Sequence, residues 1–345
     1  GFASGAPLDL IGRRFEIDWR SRPAGRAMTV HLPGHDPITR WSDPGDWRNE
    51  RLAHFGRQAE LFWEWQESTA DNLWQFALRT PPWPPQTFND LGILSRISIN
   101  WLDSLRRNSP ARKILSLALD AFQPVSAHIP DSHELLRQYL DGQLLISAQT
   151  TSHLANALYG AAALDLARQG VGHPTGGMGG MADALVGAVR RLGGEVHFRQ
   201  QVTAVTRQVD GAWIVRTKRR DVFTGDVILF NLPPWNIVNL FDSRLPSKLR
   251  RLRPFPEDGW GAFMVYVGLD MGIVPNDLSL HHQVIVNEPL GEGNSIFLSL
   301  SPEWDSSRAP EGKRALTIST HTSLERWWQL REKDRSAYET QKESY

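Results

Sequence analysis

The densest chemical signal in the sequence is the run HPTGGMGGMA at residues 173–182. Gly177-Met178-Gly179-Gly180-Met181-Ala182 fits the GxGxxA spacing with which a backbone wraps a pyrophosphate, and Glu195 follows at about the distance of a ribose-binding acid. That chemistry needs a strand directly before the glycines, so that phosphate meets the N-terminus of the following helix. Here Ala157 to Arg168 is alanine-rich and helix-like, and His173-Pro174-Thr175 reads as loop. The spacing therefore favours a plain glycine turn that lets the chain pass close to a neighbour. Asp141 and His173 are candidate proton acceptors, although each suits a structural polar role better. No Ser-His-Asp spacing or paired-acid motif demands another chemistry. Eleven histidines are scattered without HExxH-like spacing, so no metal site is expected. There is no cysteine, which excludes disulfides, thiolate catalysis and cysteine metal sites.

The elements around the glycines have local causes. Met181, Leu185, Ala188, Val189 and Leu192 recur at helical spacing. Arg190 and Arg191 suit the last helical turn, and Gly193 or Gly194 suits the left-handed position after it. Val196 and Phe198 alternate with Glu195, His197 and Arg199 as in a half-buried strand. Asp210-Gly211 predicts a tight hairpin turn. Val227-Ile228-Leu229-Phe230 is continuously apolar and reads as a strand covered on both faces, ended by Pro233 and Pro234. The order is βαβ-like, with an antiparallel meander inserted before the last parallel strand. Such an insertion points to a dinucleotide fold serving a flavin rather than a soluble nicotinamide.

At 345 residues the chain has room for one large or two ordinary domains. Lys plus Arg equals Asp plus Glu at 38 each, so nothing favours nucleic acid as a partner. Of fourteen tryptophans, Trp41, Trp47, Trp63, Trp65, Trp74, Trp83 and Trp101 cluster early, which suits core packing better than ligand stacking. No apolar run approaches the roughly 20 residues that span a bilayer; Trp260 to Leu269 reads as a buried strand. Short strands are predicted at Phe15 to Trp19, Met28 to Leu32 and Ile38 to Trp41. A helix starts at Asp43-Pro44 and runs to the prolines at 81–85. Further helices are expected at Asn89 to Arg107, Pro110 to Phe122, Ser132 to Ser147 and Asn156 to Ala167. Ala262 to Leu269, Ser279 to Val286, Ile296 to Ser301 and Leu316 to Thr320 read as one antiparallel sheet, with His281 and His282 on opposite faces. Thr322 and Glu325 suggest a capping box for a final helix. Neither signal nor transit peptide is visible, residue 1 is glycine, and the expectation is a fragment cut at both ends.

The segment 173–234 resembles the flavin-containing amine oxidase and phytoene desaturase superfamily through its P-x-GGM turn, helix, GGxV, V-x-x-V strand, meander and paired prolines. Tyr139-Leu140-Asp141-Gly142-Gln143-Leu144, Ser147-Ala148-Gln149 and Ala157-Leu158-Tyr159-Gly160-Ala161 are similar to carotenoid desaturases, especially the C-3′,4′ type. The resemblance implies an α/β plus α+β fold: part of an FAD-binding parallel-sheet, Rossmann-like domain with a β-meander, and a substrate domain of antiparallel sheet plus helices. The expected division is 1–172 substrate domain, 173–241 FAD-binding segment and 242–345 substrate domain. By the same resemblance Val202 would hold the adenine edge of FAD through its backbone, and Phe230, Asn231 and Pro233 would lie where the last strand meets the cofactor. Gly176, Gly177 and Met178 would pass near the flavin. The sequence lacks the family's N-terminal GxGxxG and C-terminal glycine-aspartate segment, so weak FAD binding is expected of these residues alone.

The implied activity is desaturation of a carotenoid or similar polyene. Such a substrate offers no carboxylate or amine to grip, so the pocket should be long, apolar and aromatic. Amine oxidation, polyene isomerisation or saturation, and non-catalytic carotenoid or lipid binding are the rivals. Lys248, Arg250, Arg251 and Arg253, interleaved with Leu245, Leu249, Leu252 and Phe255, suggest peripheral membrane contact of a cytoplasmic protein. A solvated basic face explains that run at least as well.

Overall fold

The computed structural model describes all residues except 1, 4–5, 80, 83–84, 86, 109–116, 118 and 242–258. The chain forms two compact units, one of Gly1–Leu185, Trp260–Thr322 and Tyr345, the other of Val186–Gly259 and Ser323–Ser344.

In the first unit, Asp43 caps the helix Pro44–Phe55 by accepting from the Gly45 and Asp46 N–H groups, with proline at the first helical position. Gly56, at φ 68°, breaks what the sequence reads as one helix, and a second helix follows at Glu60–Ala77. The helix Glu134–Ala148 buries Leu136, Tyr139, Leu140 and Leu144 against Trp47, Phe55, Phe62 and Trp63. That aromatic core gives Trp47 and Trp63 a packing role, with Trp41 and Trp65 packed against it, while Trp83 lies outside the described residues. Ala157–Leu164 comes close because Gly160 has no side chain: a Cβ there would meet Val125 Cγ2 at 2.3 Å.

Behind these helices lies a six-stranded sheet in the order Ile38–Trp41, Arg26–His31, His281–Ile285, Ser295–Leu300, Lys313–Ser323, Trp260–Asp270. It is mixed rather than wholly antiparallel, because Arg26–His31 runs parallel to His281–Ile285. These two strands are joined by no hairpin, so no turn dictates their relative direction. Trp260–Asp270 is an edge strand with Tyr266 exposed, not the buried strand its apolarity suggests. Phe15 closes the helix Ala6–Phe15 instead of opening a strand.

The second unit contains the meander Val202–Arg207, Trp213–Thr217 and Val222–Gly225, turned at Gly211 (φ 93°) as the Asp210-Gly211 pair predicts. Gly193, at φ 84°, takes the left-handed position after the helix Gly177–Arg191, with Arg190 and Arg191 in its last turn. The expected final helix forms as two, Leu324–Lys333 and Arg335–Ser344, and the first is capped by Ser323 rather than Thr322: the Ser323 hydroxyl accepts from the Arg326 N–H. Two expected strands are not formed. Residues 195–198 and 227–231 have no ladder partner among the described residues, and Val227 and Leu229 are 76% and 94% exposed. Apolar composition favours a strand, but hydrogen bonds from a neighbour make one.

Candidate functional site

The glycine turn is preceded by a strand after all. Val171–Pro174 pairs antiparallel with Ser21–Pro23 and with Phe2–Ala3, and leads through Gly176 (φ 76°) and Gly177 (φ 64°) into the helix Gly177–Arg191. The start of that helix is already filled. Asp305 accepts from the Gly176 N–H (2.8 Å) and from the Ser307 hydroxyl (2.5 Å). Burial pushes the Asp305 carboxyl up, but the hydrogen bonds from Ser307 and Gly176 outweigh it and hold the group below its ordinary value. A Cβ on Gly177 would stand 2.5 Å from Arg308 Nη1, so this glycine makes room for a guanidinium. A carboxylate where an incoming phosphate would need bare N–H groups opposes the pyrophosphate reading of GxGxxA. Gly176, Gly177 and Gly180 are there for close approach, while Met178 lies exposed.

In the same unit a cavity of about 200 Å³ opens between the sheet and the helix Glu134–Ala148. Met28, Ile146, Leu164, Val171 and Phe297 give it apolar walls; Arg40, Gln143, Ser147 and His281 are its polar groups. The cavity is mostly apolar, but far smaller than a long polyene pocket and, among the described residues, with Phe297 as its one aromatic hydrocarbon ring. Gln143 donates to Gln283 Oε1 (2.8 Å), and Gln283 donates to the Gly142 carbonyl (2.8 Å), which fixes helix and strand against one another. Arg40 is 8% exposed, with its guanidinium 4.3 Å from the Trp47 ring centroid and Nη1 donating to the Trp41 carbonyl (2.7 Å).

His281 and His282 do face opposite ways. His281 is 6% exposed, stacks on Phe297 and lies 5.2 Å from the His173 ring, while His282 stacks on His31. Both His281 nitrogens are buried without a hydrogen-bond partner. Burial, helped by nearby positive charge such as Arg308, lowers His281 to about 3 and His173 to about 4. Both rings are neutral near pH 7, and His173 is a weak proton acceptor there. Asp141 is structural: it is buried, pairs with Arg137 (2.8 Å) and accepts from the Ser152 N–H (2.6 Å).

In the second unit the expected cofactor residues lie on the edge of the meander and in the segment that follows it. Val202 opens the edge strand of the meander, and that strand's outer side is used at Val205, whose N–H donates to the Leu240 carbonyl (2.6 Å). Phe241 bridges to Val205 and lies 5.8 Å from the Phe230 ring. Asn231 and Pro233 are exposed beyond it. A neutral backbone edge beside an aromatic ring is the kind of surface the adenine end of FAD would need, although at Val205 that edge is already taken by Leu240. Nothing in this set supplies the positive helix terminus that a pyrophosphate needs.

Among the described residues no cluster of three or more His, Cys, Asp or Glu side chains is arranged to hold a metal, and no helix is long and apolar enough to cross a membrane. Lys248, Arg250, Arg251 and Arg253 lie outside the described residues. Sequence reasoning missed Arg40, Asp305 and Arg308. For Arg40 a signal existed: it shares a strand face with Ile38, so alternation alone places a cation on the buried side.

A sequence model described as flavin containing amine oxidoreductase matches residues 87–341. The chain is 29% identical over 182 residues to chloroplastic prolycopene isomerase of Arabidopsis thaliana, a match that covers 50% of this chain and 30% of that protein. It is 24% identical over 224 residues to carotenoid 3,4-desaturase of Haloarcula japonica, covering 59% of this chain and 43% of that protein. These matches thus span less than half the length of either relative. An oxidoreductase from Methanosarcina mazei superposes with a TM-score of 0.55 at 15% identity, over 97% of this chain and 69% of the other. A redesigned putrescine oxidase does so with 0.52 at 11% identity, over 98% and 67%. Both likenesses show the expected mixed α/β fold. With about three-quarters of its length matched by the family's own sequence pattern, the chain belongs to the flavin containing amine oxidoreductases.

Proposed function

We propose that the chain is part of an FAD-dependent oxidoreductase that desaturates a carotenoid or similar polyene, at C-3′,4′ in the finest form of the reading. Membership of the family implies FAD, which when bound supplies the two-electron acceptor for carbon–hydrogen oxidation. The observation that carries the substrate side is the cavity walled by Met28, Ile146, Leu164, Val171 and Phe297, a surface that takes an apolar chain by excluding water. His281, held neutral against Phe297, adds a flat uncharged ring to that wall. Val202 is assigned to the adenine edge, with Phe230, Asn231 and Pro233 beside it, and Gly176, Gly177 and Met178 to the side nearer the flavin. Residues 1–172 and 242–345 are assigned to substrate and 173–241 to FAD. Peripheral contact with a membrane through Lys248, Arg250, Arg251 and Arg253 belongs to the same reading.

Polyene isomerisation is the second reading, favoured by the similarity to prolycopene isomerase. One assay separates the two. Protein supplied with FAD is incubated with a partly saturated acyclic polyene, and the products are separated and their absorption spectra recorded. Desaturation lengthens the conjugated system and moves the main band to longer wavelength; isomerisation changes retention with the number of double bonds unchanged. Products of unaltered bond count overturn the desaturase reading.

A further inference from the structure

A pure hydrocarbon gives no account of Arg40. Its guanidinium is buried, and it is the one formally charged residue lining the cavity. Among the described residues no carboxylate lies within ion-pair distance of it, and its one hydrogen bond is to the Trp41 carbonyl. Stacking on Trp47 offsets part of the desolvation, and burial still pushes the guanidinium below its ordinary value. The other buried arginines are satisfied in two ways: Arg51 pairs with Glu60 (2.9 Å) and Glu67 (2.6 Å), and Arg314 donates through both Nε and Nη2 to the Ser301 carbonyl, whereas Arg40 makes one hydrogen bond and lines a cavity. Asp165 and Glu67 act on it only from beyond ion-pair reach; a buried cation without a direct partner is costly, and the usual compensation is an anion. The remaining polar groups at the wall, Gln143, Ser147 and the buried His281, are neutral.

We propose that this cavity binds the carboxylate end of an apolar chain, with Arg40 as its counter-ion. A carboxylate matches the guanidinium as a planar monoanion, whereas a phosphate brings more charge than one cation balances. At about 200 Å³ the cavity is smaller than the ~300 Å³ where whole-ligand sites begin. It holds the end of a chain, which Met28, Ile146, Leu164 and Phe297 enclose. The inference deepens the polyene reading by naming a polar terminus, and its test needs no turnover, so either fails without the other.

The test titrates the full chain, without flavin, with cis-parinaric acid and with its methyl ester, following the fluorescence of the conjugated tetraene. The expected result is an acid bound at least tenfold more tightly than the ester. Arg40→Met abolishes that preference while the unliganded protein melts no lower, because an unpaired buried cation has been removed. A merely structural arginine would lower the melt and leave the ratio unmoved. Arg40→Lys keeps the charge and a reduced preference, and serves where Arg40→Met fails to fold. Equal binding of acid and ester by wild type, or an undiminished preference in Arg40→Met, overturns the proposal. Acid preference without any desaturation leaves it standing and removes only the desaturase reading.

Discussion

His281 shows how one residue sets a pH limit. Its folded value of about 3 lies below the ordinary 6.5, as does that of His173 at about 4. A histidine of lowered folded value is bound to fewer protons in the native state than in the unfolded one across the interval between the two values. The native advantage is therefore complete above about pH 6.5 and shrinks as pH falls toward 4 and then 3. His281→Phe keeps a ring to stack on Phe297 and removes two buried nitrogens that lack partners. Thermal melts from pH 7 to 4 are expected to fall more steeply for wild type than for His281→Phe. The variant should be at least as stable at pH 7. Parallel curves would mean that acid sensitivity lies elsewhere. Nothing in the adjacent letters His281-His282 reveals this, because alternation gives each ring a face but not the company it keeps there.

At the scale of elements, the glycine turn separates glycines that are required from one that is not. A Cβ on Gly180 would lie 2.0 Å from the Thr175 carbonyl oxygen, a backbone atom that cannot step aside. On Gly179 it would meet nothing within 4 Å. Gly180→Ala is expected to cost about 1–3 kcal/mol as overpacking, and Gly179→Ala to be neutral or stabilising by roughly 0.5–1 kcal/mol as a better helix former. Urea denaturation of the two variants checks both, and equal effects would refute the assigned close approach. Local grammar is legible in most places where a cause lies within a few residues, the cap at Ser323 instead of Thr322 being an exception. Examples are Asp43 and Pro44 at a helix start, Gly193 at a helix end and the turn at Gly211. It misled where the cause is distant. Pro174 looks like loop in the sequence, yet it pairs with Ser21, far away in sequence, and Asp305 reaches the glycine turn from more than a hundred residues on.

Across the whole molecule, burial rather than composition separates the two units. Leu136, Leu140 and Leu144 lie in a closed aromatic core, whereas Val227 and Leu229, as apolar in sequence, stand in water. The sequence assigned both groups to a core because it reports hydrophobicity, and coverage depends on what lies alongside. Amide hydrogen exchange reads that difference directly, since protection follows local opening free energy. Amides of Glu134–Ala148 are expected to exchange slowest, and those of 195–198 and 227–231, which lack ladder partners, near the rate of an open chain. Addition of FAD tests the assigned cofactor edge in the same experiment. Binding there requires slowed exchange at Val202 and through Phe230 and Asn231, with the Glu134–Ala148 helix unchanged. Protection that appeared instead at Gly176 and Gly177 would move the cofactor to the glycine turn. It would also require Asp305 to give up its hydrogen bond from Gly176.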